Sequence, residues 1–161
     1  MNLFPNSIGI WMFRDCPSVV DSMKRKWDKE FFNISKLVES DDENNWRLEK
    51  SLAPLNNAID KVSIDELYAQ YWIIRNSIPF EKAVIQDSRL LFLNYESLVL
   101  NTMKSISKIL NATDCIDLWK GFKFDSRSSN VGKTITHKIQ NHTLERSYEV
   151  YRNLINLSSK K

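Results

Sequence analysis

The chain has 161 residues, 42% hydrophobic and 27% charged, the balance of a soluble globular domain large enough to bury a core. Its net charge of +3 suits an anionic small molecule and does not mark a nucleic-acid binder. Two cysteines, Cys16 and Cys115, without CxxC spacing suggest neither a disulfide framework nor a zinc site, and His137 and His142 lie off the i, i+4 spacing of a helical metal pair.

In chain order, residues 8–13 come first as an apolar run, Ile8, Ile10, Trp11, Met12 and Phe13, the pattern of a strand covered on both faces. Asp15 and Pro17 break it, and Val19, Val20, Met23 and Trp27 follow at helical spacing. The carboxyl end of a parallel strand beside a helix N-terminus favours anions, and Arg14 brings a planar guanidinium to that point. Ser22, about a turn into the helix, offers a hydroxyl, while pairing of Arg14 with Asp15 is the bland alternative. Lys24-Arg25-Lys26 reads as the solvated face of this helix. Residues 39–45 form an acidic, asparagine-rich loop, and 46–62 continue as a polar segment without a clear period.

Ser63 and Glu66 form a capping box. Ile64, Leu67, Tyr68, Tyr71 and Trp72 then predict a helix ending before Pro79, its aromatic stripe facing the core. A second strand over 89–94 leads into a turn at Tyr95-Glu96-Ser97-Leu98 and a helix whose apolar face carries Ile106, Ile109 and Leu110. Residues 124–133 are a basic loop with Arg127 and Lys133. From Asn141 a last helix places Leu144, Tyr148, Tyr151 and Leu154 on one face. No run of about eighteen apolar residues occurs and no leader-like segment precedes Ile8, so the expectation is a cytoplasmic chain without a membrane span.

Two of these stretches resemble the sulfotransferases that use 3′-phosphoadenosine 5′-phosphosulfate. Arg14-Asp15-Cys16-Pro17 with Ser22 is similar to the family's R-D-P segment, whose strand-end arginine and a serine eight residues later hold the nucleotide 3′-phosphate. Cys16 is a one-residue departure that keeps the Arg14–Ser22 spacing. Tyr95-Glu96-Ser97-Leu98 resembles the family's Y-E-D-L, with Ser97 in place of aspartate, and the resemblance puts Tyr95 near adenine. A core tyrosine is the alternative. The loop with Arg127 and Lys133 is a looser match to a basic loop over the 3′-phosphate, or simply a solvated loop.

The resemblance implies an α/β fold of partial P-loop-NTPase-like type, a short parallel sheet near 8–13 and 89–94 flanked by helices, with residues 1–161 as one domain matching the C-terminal part of the family's domain. It implies 3′-phosphoadenosine 5′-phosphosulfate or adenosine 3′,5′-bisphosphate as cofactor, and a small-molecule or glycan acceptor. The family's 5′-phosphosulfate loop and upstream base have no counterpart, since the three glycines are Gly9, Gly121 and Gly132 and only seven residues precede the first strand. No catalytic or metal residue is therefore assigned, and the chain alone is expected not to turn over unless a missing N-terminal half is supplied. A non-catalytic remnant that binds nucleotide and an unrelated helical interaction module remain the competing readings.

Overall fold

Two parallel strands start from short apolar runs separated by a long crossover. The structure, a computed structural model, describes residues 7–27, 55, 58, 61–81, 84–115 and 138–160. The acidic loop at 39–45, most of 46–62, His137, Arg127 and Lys133 lie outside the described residues. Strand β1 is Gly9–Phe13 and β2 is Leu90–Asn94, paired in parallel with Gly9 opposite Leu90 and Phe13 opposite Asn94. Helix α1 spans Cys16–Trp27, α2 Ile64–Glu81, α3 Tyr95–Leu100, α4 Thr102–Ala112 and α5 Asn141–Lys160. The fold is mixed α/β, mostly helical, with a short two-stranded parallel sheet.

The described residues fall into two compact units. One draws on the segments Met1–Arg14, Pro79–Lys133 and Asn153–Lys161, the other on Asp15–Ile78 and Thr134–Arg152.

In the first unit β2 is the centre. All five of its residues are buried, and it contacts β1, α3 and α4. An aspartate turn delivers the chain into it. Asp87 Oδ1 accepts from Arg89 N at 2.9 Å and Arg89 Nε at 3.0 Å, while Oδ2 accepts from Arg89 Nη2 at 2.8 Å. These bonds from Arg89 pull the Asp87 carboxyl down to about 2. β1 corrects the expectation of a strand covered on both faces: Ile10 and Met12 are 44% and 53% exposed, whereas Phe13 is buried. A run of apolar residues is compatible with either arrangement, and here only one face of β1 is covered.

Tyr95 to Leu98 is helical rather than a plain turn, because Asn94 caps α3: its side chain accepts from Ser97 N at 2.8 Å. Ser105 then ties α4 back to α3 by donating to Ser97 O at 3.2 Å. On α4, Ile106, Ile109 and Leu110 are half-buried, as an apolar face requires. The helix closes with Asp114 at φ 52° and with Cys115 N donating to Leu110 O at 3.0 Å, a Schellman ending in which aspartate tolerates the left-handed region.

In the second unit the core comes from α1 (Cys16, Val20, Met23), α2 (Leu67, Tyr68, Ala69, Trp72, Ile73), Leu55 and the start of α5. Asp15 caps α1, its Oδ1 accepting from Ser18 N at 2.9 Å. At α2 half of the capping box forms: Glu66 N donates to Ser63 Oγ at 3.2 Å. The Glu66 carboxylate turns elsewhere, accepting from Gln70 Nε2 at 2.8 Å, Gln140 N at 2.8 Å and Thr143 Oγ1 at 2.5 Å. Lys138 is caught at the same place, its N–H on Asp65 Oδ2 at 2.8 Å and its carbonyl accepting from Ser63 Oγ at 2.6 Å. Lys24 reaches the buried Asp65 at 2.7 Å, so it does not belong to a merely solvated face.

Two further helix expectations change. α2 continues through Pro79 to Glu81. Proline there forgoes one backbone N–H bond and crowds the turn before it, a cost that burial of the Pro79 ring offsets. α5 buries Leu154 as expected, but it also buries Thr143, Ser147 and Val150 and leaves Tyr148 47% exposed, so its inward face is rotated from the one expected. Ser147 tolerates full burial because its hydroxyl is satisfied on Leu144 O at 2.7 Å. No helix among the described residues is long and apolar enough to cross a membrane.

Candidate functional site

Register decides what meets at the carboxyl ends of the strands. Phe13 and Asn94 are partners, so the next residues, Arg14 and Tyr95, leave the sheet side by side. The Arg14 guanidinium lies over the Tyr95 ring, its Cζ 5.0 Å from the centroid, a cation–π contact. Arg14 Nε donates to Glu96 Oε1 at 3.1 Å, with side-chain exposures of 22% and 18% for the pair. Glu96 Oε2 in turn accepts from Asn94 Nδ2 at 2.9 Å, and Asn94 Oδ1 is the cap of α3. One chain of polar contacts thus runs from the end of β1 to the first turn of α3.

The arrangement holds a planar cation half-buried at the strand ends, with an aromatic face beneath it and a carboxylate at its edge. Such a guanidinium has donors besides Nε and is shaped for bidentate oxyanion contact. The adjoining Glu96 lowers the local positive potential, which weakens attraction for a phosphate. Glu96 and Asn94 are the members that sequence reasoning passed over. Glu96 stood inside the Tyr95 motif, and its carboxylate next to a candidate adenine contact was the available signal.

Ser22 is the seventh residue of α1, nearly two turns in rather than about one, and belongs to the second unit. It lies past the first four amides that a helix leaves without an intrahelical acceptor. Arg127 and Lys133, the two basic-loop candidates, are outside the described residues.

Cys16 stands where the resemblance departs from R-D-P, at the start of α1. Burial pushes its thiol up to about 12; a hydrogen bond with Ser147 acts the other way, and Asp15 and Glu66 add to the rise. It is therefore a buried hydrophobe rather than a nucleophile. Among the described residues, no group of three or more His, Cys, Asp and Glu side chains could hold a metal ion. No protein-family model, curated protein or solved structure matches the chain.

Proposed function

We propose that this chain carries the nucleotide-binding part of a sulfotransferase-type site. In this reading it binds adenosine 3′,5′-bisphosphate or 3′-phosphoadenosine 5′-phosphosulfate, with Arg14 on the 3′-phosphate and Tyr95 against the adenine. The observation that carries it is the meeting of Arg14 and Tyr95, 5.0 Å apart at the carboxyl ends of adjacent parallel strands. Open α/β sheets bind ligands at that edge. Ser22, Arg127 and Lys133 enter through the resemblance alone, as does the partial P-loop-NTPase-like fold.

Sulfate transfer to a hydroxyl or amine, on a small molecule or a glycan, needs donors around the bridging oxygen of the phosphosulfate and a base for the acceptor. Residues 1–161 contain no glycine-rich strand–helix loop for the first task, so the chain alone is an inactive transferase.

A second reading has an observation in its favour. Arg14 already has an anion, Glu96, and the contact fastens the end of β1 to α3. A remnant of the fold would keep that fastening without binding nucleotide.

Thermal denaturation with millimolar ligand separates the two. Adenosine 3′,5′-bisphosphate raises the melting temperature and adenosine 5′-monophosphate raises it much less, since a ligand that binds only the folded state stabilises it by mass action. Arg14→Ala abolishes the difference, a charge-assisted phosphate contact contributing about 1.5–3 kcal/mol. Equal shifts from the two nucleotides, or an undiminished difference in Arg14→Ala, leave the fastening as the whole role of Arg14.

A further inference from the structure

A cleft of about 940 Å³ opens within the first unit, along β2, α4 and the last turn of α5. Its ionisable lining among the described residues is Arg89, Lys104 and Lys108, with no carboxylate. The charge of Arg89 is answered outside the lining by Asp87 at 2.8 Å. The two lysines are not answered in this way. Lys108 Nζ donates to the Ser158 carbonyl at the end of α5, and Lys104 makes no ion pair among the described residues. They stand four residues apart on α4, about 6 Å along the helix axis, a separation that one tetrahedral oxyanion can bridge. Burial, and then repulsion from Lys104, lowers the pKa of Lys108, as expected of neighbouring cations.

Three serines of the lining say more about the ligand. Ser105 donates its proton to Ser97 O, Ser107 to Met103 O and Ser158 to Ile155 O, at 3.2, 2.9 and 2.8 Å. With their protons committed to the backbone, these hydroxyl oxygens serve as acceptors, which suits a ligand that brings hydroxyl groups of its own.

We propose that this cleft binds a phosphate or sulfate monoester of a polyhydroxylated small molecule, the oxyanion held between Lys104 and Lys108 and the hydroxyls on the serine oxygens. The site is separate in its residues from Arg14 and Tyr95 and does not rest on the nucleotide reading.

Amide NMR spectra of the full chain, titrated in turn with glucose 6-phosphate, glucose 6-sulfate, inorganic phosphate and glucose, test it. Saturable shifts centred on Lys104, Ser105, Lys108 and Ser158 are expected with at least one of the two esters, and which one responds tells phosphate from sulfate recognition. Inorganic phosphate binds more weakly and glucose produces no shift. Lys104→Gln and Lys108→Gln each weaken the ester about tenfold or more, Lys104→Arg retains binding, and Arg14→Ala leaves it unchanged. No saturable shift at α4 with either ester overturns the proposal, as do shifts that survive in the Lys104→Gln/Lys108→Gln double variant. Loss of these shifts in Arg14→Ala overturns the separateness of the two sites.

Discussion

Replacing Glu66 by alanine should be among the most damaging single changes in the second unit. The residue is 1% exposed, and its carboxylate gathers three donors: Gln70 Nε2, Gln140 N and Thr143 Oγ1. Gln70 is half-buried and Gln140 exposed, so both can turn to water, whereas Thr143 is 3% exposed and keeps only the longer contact with His142 Nε2 at 3.3 Å. Hydrogen bonds to a charged group contribute about 1.5–3 kcal/mol each, and a poorly paired buried hydroxyl costs about 1–3 kcal/mol. Removing the carboxylate also relieves its own desolvation, which offsets part of that loss. The net expectation for Glu66→Ala is about 3–4 kcal/mol, or roughly 6–16 °C in melting temperature for a chain of this size. Glu66→Gln keeps the shape but turns an amide donor toward one of the three donors, costing about 1–3 kcal/mol. Urea denaturation followed by far-UV circular dichroism reads both values, provided the slope m stays constant. Thr143→Val should cost about 1–2 kcal/mol alone and much less in the Glu66→Ala background, because one bond is lost only once. A loss below about 1 kcal/mol for Glu66→Ala, or full additivity with Thr143→Val, would refute the network.

The Cys16 thiol, held near 12 in the fold against 9.0 ordinarily, stays protonated where the unfolded chain has ionised. Its contribution is therefore intact below about pH 9 and declines as pH rises toward 12, by about 1.4 kcal/mol per pH unit at most; Cys16→Ala should flatten that part of the stability curve, and an unchanged slope contradicts the assignment. At pH 8 a thiol reagent should label half-buried Cys115 well before buried Cys16, and two equally fast thiols count against the burial. Asn94→Ala removes the cap of α3 and the support of Glu96, costing about 1–2 kcal/mol by urea denaturation, and no loss means that the cap is idle.

The strands β1 and β2 were legible because each is a short apolar run closed by a polar residue, a signal that needs only neighbouring positions; their parallel pairing was expected from the resemblance, and the register shows it. The starts of α1 and α2 were legible for the same reason, since Asp15 and Ser63 act on amides three residues away. The side-by-side exit of Arg14 and Tyr95 was an expectation from two separate motifs, and the strand register produces it. Other features depend on what lies across from a residue, which no local pattern encodes. The identity of Glu66 is visible at the third position of a capping box, yet its carboxylate goes to Gln140 and Thr143 because the start of α5 supplies buried donors. Tyr148 looked like core by periodicity, but α5 presents Thr143, Ser147 and Val150 inward and leaves the tyrosine in water. Ile10 and Met12 read as buried and are not, since a strand's second face is covered only if another element reaches it. Glu96 beside Arg14 is of the same kind: the sequence by itself determined that both charges exist near strand ends, and only the parallel register brought them within 3.1 Å.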